Sequence, residues 1–207
     1  MQLVSQDFLL QTTNMKYNAA LENDLSAMEV TITPHLTFDA LSTLRQSTPS
    51  VCTHYGEIDA VSMRRVLLAI GCGPGAVLLD VGCGAGRWLS AALSLGASRA
   101  VGVEYVPERA AVAQSVLGDR AQVLVGRAED VDAVWEAGPT HVIFYDFACP
   151  LEDVILLYKR AAATKTVLVV VTWKRDVVVP GFRPSRTIRT TTPAGEKYVA
   201  YAHTRTV

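Results

Sequence analysis

The chain of 207 residues contains neither a long apolar run nor a cysteine pattern that would indicate disulfides or a metal site. No segment approaches the roughly 20 apolar residues that cross a membrane, and the N-terminus lacks the basic and apolar regions of a signal peptide. The four cysteines form no C-x-x-C pair, and the four histidines have no metal-ligand spacing. We therefore expect free thiols in a reducing, intracellular compartment, no bound metal and no membrane partner.

The chain also lacks a strong net charge. A formal charge of −1 and a sequence pI of about 6.4 argue against a protein that coats nucleic acid through bulk charge. Local charge differs, because segment 174–189 holds five basic residues against one acid, Asp176. The basic residues are Lys174, Arg175, Arg183, Arg186 and Arg189. We predict that this segment docks an acidic surface or a nucleic acid.

What the sequence does contain is an alternation of apolar, strand-like runs with helix-like segments. A helix over 57–70 is followed by predicted strands at 76–81, 99–103, 121–125, 141–146 and 166–173. Further helices are predicted at 86–95, 107–117, 129–136 and 151–163. This alternation predicts an α/β fold with a doubly wound, mostly parallel, Rossmann-like sheet of seven strands. The Thr- and Tyr-rich segments 186–192 and 197–205 predict a C-terminal antiparallel hairpin.

The most informative motif is VLLDVGCGAGR at residues 77–87, an apolar strand followed by a glycine turn. Its third glycine comes one residue earlier than in the dinucleotide fingerprint G-x-G-x-x-G, and this spacing is typical of S-adenosylmethionine (SAM) methyltransferases. Asp80 is predicted to face the methionine half of SAM, with loop N–H groups near its carboxylate. Glu104 ends the next strand and is predicted to bind the ribose hydroxyls. The predicted cofactor contacts of this region are Asp80, Gly82, Cys83, Gly84, Gly86, Arg87, Glu104 and Tyr105.

Two further strand ends complete the predicted site, because ligands of open α/β sheets bind outside the carboxyl ends of the strands. At the third end, Ala128 and Glu129 are expected beside the adenine, where a carbonyl or carboxylate accepts from the exocyclic amine. A solvated helix N-terminus explains Glu129 equally well. At the fourth end, Asp146 stands between Tyr145 and Phe147, which predicts an aromatic channel with one polar anchor for an amine acceptor. The alternative is that Asp146 only caps the following loop.

The tripeptide Tyr55-Gly56-Glu57 lies about one helix upstream of the glycine loop. With LLDVGCGAGR, VGVEY and VIFYDFA, it resembles the non-SET histone-lysine methyltransferases, the disruptor-of-telomeric-silencing family, over residues 52–175. The resemblance implies that Tyr55 and Glu57 contact SAM and that Asp146 with Phe147 lines the lysine channel. The predicted catalytic group is Asp146, Tyr145, Phe147 and Tyr55. This chain departs from the family at Arg87, which replaces a Gln, and at Tyr145-Asp146, which replaces paired Asn residues.

The resemblance implies a minimal histone-lysine N-methyltransferase that acts on histones or nucleosomes in the nucleus. Two other interpretations stay open: a methyltransferase for RNA or a small molecule, located in the cytoplasm, and a catalytically silent SAM-binding module. The intact Asp80, glycine loop and Glu104 count against a silent module. Residues 1–50 are predicted to form an N-terminal cap, and residues 51–207 a SAM-dependent methyltransferase domain. The sequence indicates no particular oligomeric state.

Overall fold

The computed structural model describes residues 57–146, 151–174 and 178–206. The predicted cap over 1–50 lies outside these residues, so the division into cap and domain stays a prediction. The predicted site residues Tyr55 and Phe147, and Arg175 of the basic segment, also lie outside them. Within the described ranges, no helix is both long and apolar enough to cross a bilayer.

A single mixed sheet organises the described residues. Its strands are β1 Val77–Val81, β2 Arg99–Glu104, β3 Gln122–Val125, β4 His141–Phe144, β5 Val169–Thr172, β6 Phe182–Thr191 and β7 Lys197–Arg205. Their order across the sheet is β3-β2-β1-β4-β5-β7-β6. Strands β1 to β5 pair in parallel, whereas β7 is antiparallel to both β5 and β6. The predicted parallel sheet with a C-terminal antiparallel hairpin is therefore confirmed.

Five α-helices connect and cover the strands of the described part of the chain. They are α1 Ala60–Ala69, α2 Arg87–Ser94, α3 Pro107–Leu117, α4 Asp132–Glu136 and α5 Leu151–Ala163, and a 3₁₀ turn covers Gly118–Arg120. Asp59 caps α1 by accepting from the Ser62 amide at 2.6 Å. Pro107 starts α3 at the position where its missing N–H is not needed. Gly86 precedes α2 with a φ of 79°, a left-handed conformation that favours glycine.

Two apolar clusters flank the sheet. Alternate residues of a strand point to opposite faces, so Leu78 and Ile143 pack in one cluster and Leu79 and Val142 in the other. Buried residues of α1 and α2 belong to the first cluster, and those of α4 and α5 to the second. Both faces are therefore covered, which is the doubly wound arrangement.

Two departures from the predicted boundaries bear on the site. Strand β4 ends at Phe144 instead of residue 146, because the Asp146 amide turns back to donate to the Phe144 carbonyl at 2.9 Å. Strand β6 starts at Phe182, earlier than predicted, and its C-terminal end is held by the start of α1. There Thr191 accepts from the Asp59 amide at 2.8 Å and donates its own amide to Ser62 Oγ at 2.9 Å.

Candidate active site

A cleft opens at the carboxyl ends of β1, β2, β3 and β4, the edge where parallel sheets bind ligands. It encloses about 1180 Å³ when the space at its open mouth is included. The predicted site residues that line it are Glu57, Asp80, Gly82, Cys83, Gly84, Arg87, Glu104, Tyr105, Ala128, Glu129 and Tyr145. Asp146 and Gly86 are not among its lining residues. The fold therefore brings most of the predicted site together in one place.

Glu104 ties the end of β2 to the glycine loop. Its carboxylate is buried and accepts from the Gly84 amide and from the Val106 amide, each at 2.9 Å. Arg109 of α3 lies 3.9 Å from the same carboxylate. A carboxylate has about four acceptor positions, so two remain for other donors. This geometry suits the predicted binding of two ribose hydroxyls.

Hydrogen bonds donated by the amides of the glycine loop fix its conformation. Gly82 and Cys83 donate to the Val103 carbonyl at 2.8 and 3.1 Å, and Gly86 donates to the Cys83 carbonyl at 2.8 Å. Gly84 donates to Glu104, as described above. These four N–H groups are committed inside the protein, which leaves them little capacity to bind a ligand carboxylate as the sequence predicted.

Asp80 and Arg87 are buried side chains of the cleft with atoms that have no hydrogen-bond partner among the described residues. Asp80 is 2% exposed, and the atom concerned is Oδ2. Burial, with the Glu104 carboxylate nearby, raises the pKa of Asp80 from 3.8 to about 8. Arg87 forms a 2.6 Å ion pair with Glu57 through Nη1, whereas its Nε and Nη2 have no such partner. These atoms suit a cleft for SAM, whose amino-acid end carries both charges.

The other end of the cleft is formed by the loop between β3 and α4. Glu129, predicted to contact adenine, pairs with Arg127 at 2.5 Å, so part of its carboxylate is already engaged. The Ala128 carbonyl accepts from Trp135 Nε1 at 2.8 Å, which fixes the loop and leaves one lone pair of that carbonyl. Gly126 adopts a φ of 146°, and a Cβ there would lie 2.7 Å from Val131. These contacts fix the position of the loop. Its contact with adenine stays a prediction.

The end of the cleft beside β4, where the sequence predicts the methyl acceptor, is aromatic. Tyr145 and Trp88 line it, and both make edge contacts with the buried Trp173, at ring-centroid distances of 5.0 and 5.9 Å. Burial, with smaller effects from Tyr198, Glu196 and Asp146, raises the pKa of Tyr145 to about 12. Tyr145 therefore stays a neutral phenol at physiological pH.

Asp146 occupies a different environment from the one predicted. It is fully buried, and its carboxylate accepts from Tyr158 at 2.7 Å, from Thr172 at 2.5 Å and from the Trp173 amide at 2.8 Å. These contacts join the end of β4 to α5 and β5. Asp146 does not line the cleft, and these partners lie on α5 and at the end of β5 instead of the loop that follows it. Its predicted catalytic role and its predicted loop cap both stay predictions.

The predicted basic segment does not form a single patch. Arg183 and Arg189 lie six residues apart on β6, a separation of about 20 Å along a strand. Because β6 runs in the same direction as β5, Arg189 and Lys174 lie toward the cleft edge and Arg183 toward the opposite edge. Lys197 at the start of β7 joins the cleft edge and was not predicted.

Sequence reasoning missed several residues that line or support the cleft. Trp88 and Arg109 lie on α2 and α3, each one or two positions into its helix, and Arg127 follows β3. Their positions in the sequence next to the motif residues could have identified them as cleft residues. Trp173 follows β5 and reaches the site only through long-range packing, for which the sequence carried no signal.

The comparisons with known proteins agree with this geometry. Residues 79–158 match the family model described as a methyltransferase domain. No curated protein sequence matches the chain. The matched segment contains the glycine loop, the ends of β2, β3 and β4, and most of α5.

Solved structures share the fold at low sequence identity. A proposed RNA methyltransferase from Pyrococcus horikoshii superposes with a TM-score of 0.57 at 18% identity, covering 82% of this chain and 98% of that one. Magnesium protoporphyrin IX methyltransferase from Synechocystis, solved with bound SAM, gives 0.54 at 16% identity, covering 84% and 100%. An RNA methyltransferase from Salinibacter ruber, solved with S-adenosyl-L-homocysteine (SAH), gives 0.52 at 22% identity, covering 72% and 93%. Residues 79–158 therefore match a methyltransferase domain, the described sheet has the fold of class I methyltransferases, and SAM is the cofactor that this match and fold support.

Proposed function

We propose that this chain transfers the methyl group of SAM to an aromatic acceptor, either a nucleobase of RNA or an aromatic small molecule. The observation that carries the proposal is the aromatic acceptor end of the cleft, formed by Tyr145 and Trp88. Flat aromatic side chains bind planar rings by stacking and edge contacts, which are worth about 1–3 kcal/mol per base. Two of the similar structures are described as RNA methyltransferases and one as a porphyrin methyltransferase, which agrees with a planar acceptor.

Methyl transfer mainly requires the protein to align the acceptor with the methyl group of SAM. SAM supplies a methyl group on a positively charged sulfur, which reacts when an acceptor lone pair lies in line with the carbon–sulfur bond. Trp88 and Tyr145 restrict the acceptor to one orientation, and the edge contacts with Trp173 restrict both side chains in turn. The buried apolar surface of Ile58 and Met63 in the same cleft helps to exclude water.

The histone-lysine interpretation relied on the Tyr55-Gly56-Glu57 loop and on Asp146 as the polar anchor of a lysine channel. Tyr55 lies outside the described residues, and both carboxylate oxygens of Asp146 accept hydrogen bonds from Tyr158, Thr172 and Trp173 inside the protein. The comparisons lend no support to a histone substrate. A nuclear location, which followed only from that interpretation, has no support of its own.

Of the two acceptor sources, we favour RNA. Lys174, Arg189 and Lys197 lie toward the cleft edge of the sheet, with Glu196 as the acid of the adjoining turn. Cations beside an aromatic acceptor end fit a base whose flanking phosphates run along the protein surface. An aromatic metabolite without phosphates would make no use of these cations.

The test is methyl transfer from labelled SAM to total RNA, a metabolite extract, free histones and nucleosomes in parallel. We expect label in RNA. Label in the metabolite fraction alone would keep the aromatic acceptor and exclude RNA, and label confined to histones or nucleosomes would overturn the proposal. An RNA acceptor also predicts that Arg189→Gln with Lys197→Gln weakens RNA binding and reduces its salt dependence by about two phosphate contacts.

A matched pair of tyrosine variants tests the aromatic end itself. Tyr145→Ala should lower kcat/KM for the acceptor by about 10- to 100-fold through lost stacking, with little change in SAH affinity. Tyr105→Ala, in the cofactor part of the cleft, should instead weaken SAH binding. Equal effects of the two variants on SAH affinity would remove Tyr145 from the acceptor end.

A further inference from the structure

Tyr198 of β7 lies at the cleft edge of the sheet, beyond the end of β5. Strand β7 runs antiparallel to β5, and Tyr201 pairs with Thr172, the last residue of β5. Tyr198 comes three residues before Tyr201, a distance of about 10 Å along the strand. Its side chain is partly exposed. The C-terminal hairpin therefore carries an accessible ring to the edge at which the cleft opens.

Tyr198 also lies on the side of the sheet where the aromatic end of the cleft is built. Tyr198 and Tyr145 pack against the same apolar cluster, which contains Trp88 and Trp173. Across the hairpin, Tyr198 pairs with Thr190, whose Oγ1 accepts from Trp173 Nε1 at 3.3 Å. After burial, Tyr198 makes the largest contribution to the raised pKa of Tyr145, which agrees with this closeness. Tyr198 thus continues the aromatic surface of the cleft outward.

The turn between β6 and β7 restricts the Tyr198 side chain. Its hydroxyl donates to Glu196 Oε2 at 3.2 Å. Glu196 is itself held, because its amide donates to Thr192 Oγ1 at 3.1 Å and its carbonyl accepts from the Thr192 amide at 2.9 Å. A ring whose orientation is already restricted loses less conformational entropy when a ligand stacks on it.

We propose that Tyr198 is the stacking site for a base that neighbours the methylated base in the RNA. Successive bases of a single strand stack on successive aromatic side chains, because every base has a flat face. Lys174 and Lys197 are the sequence neighbours of Trp173 and Tyr198, and they supply positive charge for the phosphates that join the bases. The proposal rests on RNA as the acceptor, and it gives Tyr198 the role of distinguishing a polynucleotide from a single nucleoside.

The test compares two ligands that differ only in their bases. One is a fluorescently labelled, short single-stranded RNA of random sequence, and the other is an abasic RNA of the same length, which keeps the ribose-phosphate chain. The ratio of their dissociation constants, measured with SAH present, reports contacts to bases. Tyr198→Leu should reduce the preference for the base-containing RNA by about 5- to 100-fold, the range for one stacked base. The salt dependence of binding should stay as in the wild type, because phosphate contacts are unchanged.

Two matched variants show whether the ring itself is responsible. Tyr198→Phe keeps the ring and should retain the wild-type preference. Tyr201→Leu changes the other partly exposed tyrosine of β7, which lies three residues along the strand and therefore on the opposite face of the sheet, and should also retain it. None of these positions lines the cleft, so SAH affinity should stay within about threefold of wild type in all three variants.

Photo-crosslinking of iodouridine-substituted RNA to the wild-type protein needs no variant and should place a crosslink on Tyr198. A wild-type preference in Tyr198→Leu, an equal loss in Tyr201→Leu, or crosslinks that avoid Tyr198 would overturn the stacking assignment while leaving RNA as the acceptor. A wild-type protein that neither binds nor methylates RNA would overturn both this assignment and the RNA acceptor.

Discussion

Two regions of the molecule differ in whether their buried charged groups have hydrogen-bond partners. We call the region of the glycine loop, Asp80 and Glu104 the cofactor half, and the region of Trp88, Tyr145 and Asp146 the acceptor half. In the cofactor half, Asp80 and Arg87 are buried with atoms that have no partner. In the acceptor half, Asp146 is equally buried, but both oxygens of its carboxylate accept hydrogen bonds, from three donors in all. Unsatisfied buried groups are rare in folded proteins and indicate a ligand or a functional constraint. At these three residues, the difference supports a role in ligand binding for Asp80 and Arg87, which line the cleft, and a structural role for Asp146.

The same contrast explains how the two halves achieve specificity. The cofactor half presents charged groups and a fixed loop to a ligand with fixed chemistry. The acceptor half presents the aromatic surfaces of Tyr145 and Trp88, which recognise shape and tolerate different rings.

Glu104 offers the largest test of the cofactor half, because it joins structure and ligand binding. Glu104→Ala leaves the buried amides of Gly84 and Val106 without acceptors, at about 1–3 kcal/mol each. We expect the free energy of unfolding to fall by about 2–4 kcal/mol and SAH affinity to fall by at least about 100-fold. Urea unfolding and calorimetry measure the two effects.

Two matched variants sharpen this result. Glu104→Gln keeps one acceptor oxygen and should lose less stability than the alanine variant. Glu129→Ala removes a partly exposed acid that pairs with Arg127, and should change stability by less than about 1 kcal/mol. If Glu104→Ala unfolds like the wild type, the carboxylate does not hold the glycine loop in solution.

Asp146 gives the second test, directed at the acceptor half. Asp146→Ala leaves Tyr158, Thr172 and the Trp173 amide without their acceptor, and we expect a loss of about 3–5 kcal/mol of unfolding free energy. SAH affinity, measured in conditions where the variant is folded, should stay within about threefold of wild type because Asp146 does not line the cleft. A variant of wild-type stability whose methyl transfer collapses would restore the catalytic role that the sequence predicted.

The two halves also differ in how far the sequence determines them. The glycine loop and Glu104 are local features, since a strand, a turn and a second strand within about thirty residues place them at one sheet edge. Asp146 has partners 12, 26 and 27 positions away, on elements whose packing no local pattern specifies. The aromatic neighbours on either side of Asp146 suggested a channel, but the turn after Phe144 directs its carboxylate into the core instead.

The pairing of Arg87 with Glu57 was invisible for the same reason. The two residues are 30 positions apart, and they meet because α1 packs against α2, which Arg87 begins, while the start of α1 is tied to the end of β6. The motif placed Arg87 near the cofactor, whereas only the structure identifies which of its donors are unused.

Asp80 gives the smallest expected effect and contrasts with Asp146. We expect Asp80→Asn to stabilise the protein while weakening its affinity for SAH. Burial raises the pKa of Asp80 from 3.8 to about 8 in the folded, ligand-free protein. The folded state therefore binds one more proton than the unfolded chain between these values, and the unfolding free energy falls as pH rises through this window. Asn at this position does not titrate. The unfolding free energy of Asp80→Asn relative to that of the wild type should therefore increase with pH, by about 1 kcal/mol or more at pH 8.

Cofactor binding should show the reverse dependence on the same group. An ammonium ligand favours the carboxylate form, so SAH binding to the wild type near pH 7 should release close to one proton from Asp80 and strengthen as pH rises toward 8. Calorimetry in buffers of different ionisation enthalpy counts that proton. Asp80→Asn should bind SAH more weakly and without this proton release. Proton release that persists in Asp80→Asn would therefore mean that another cleft group receives the ammonium, and the assignment of Asp80 would fail.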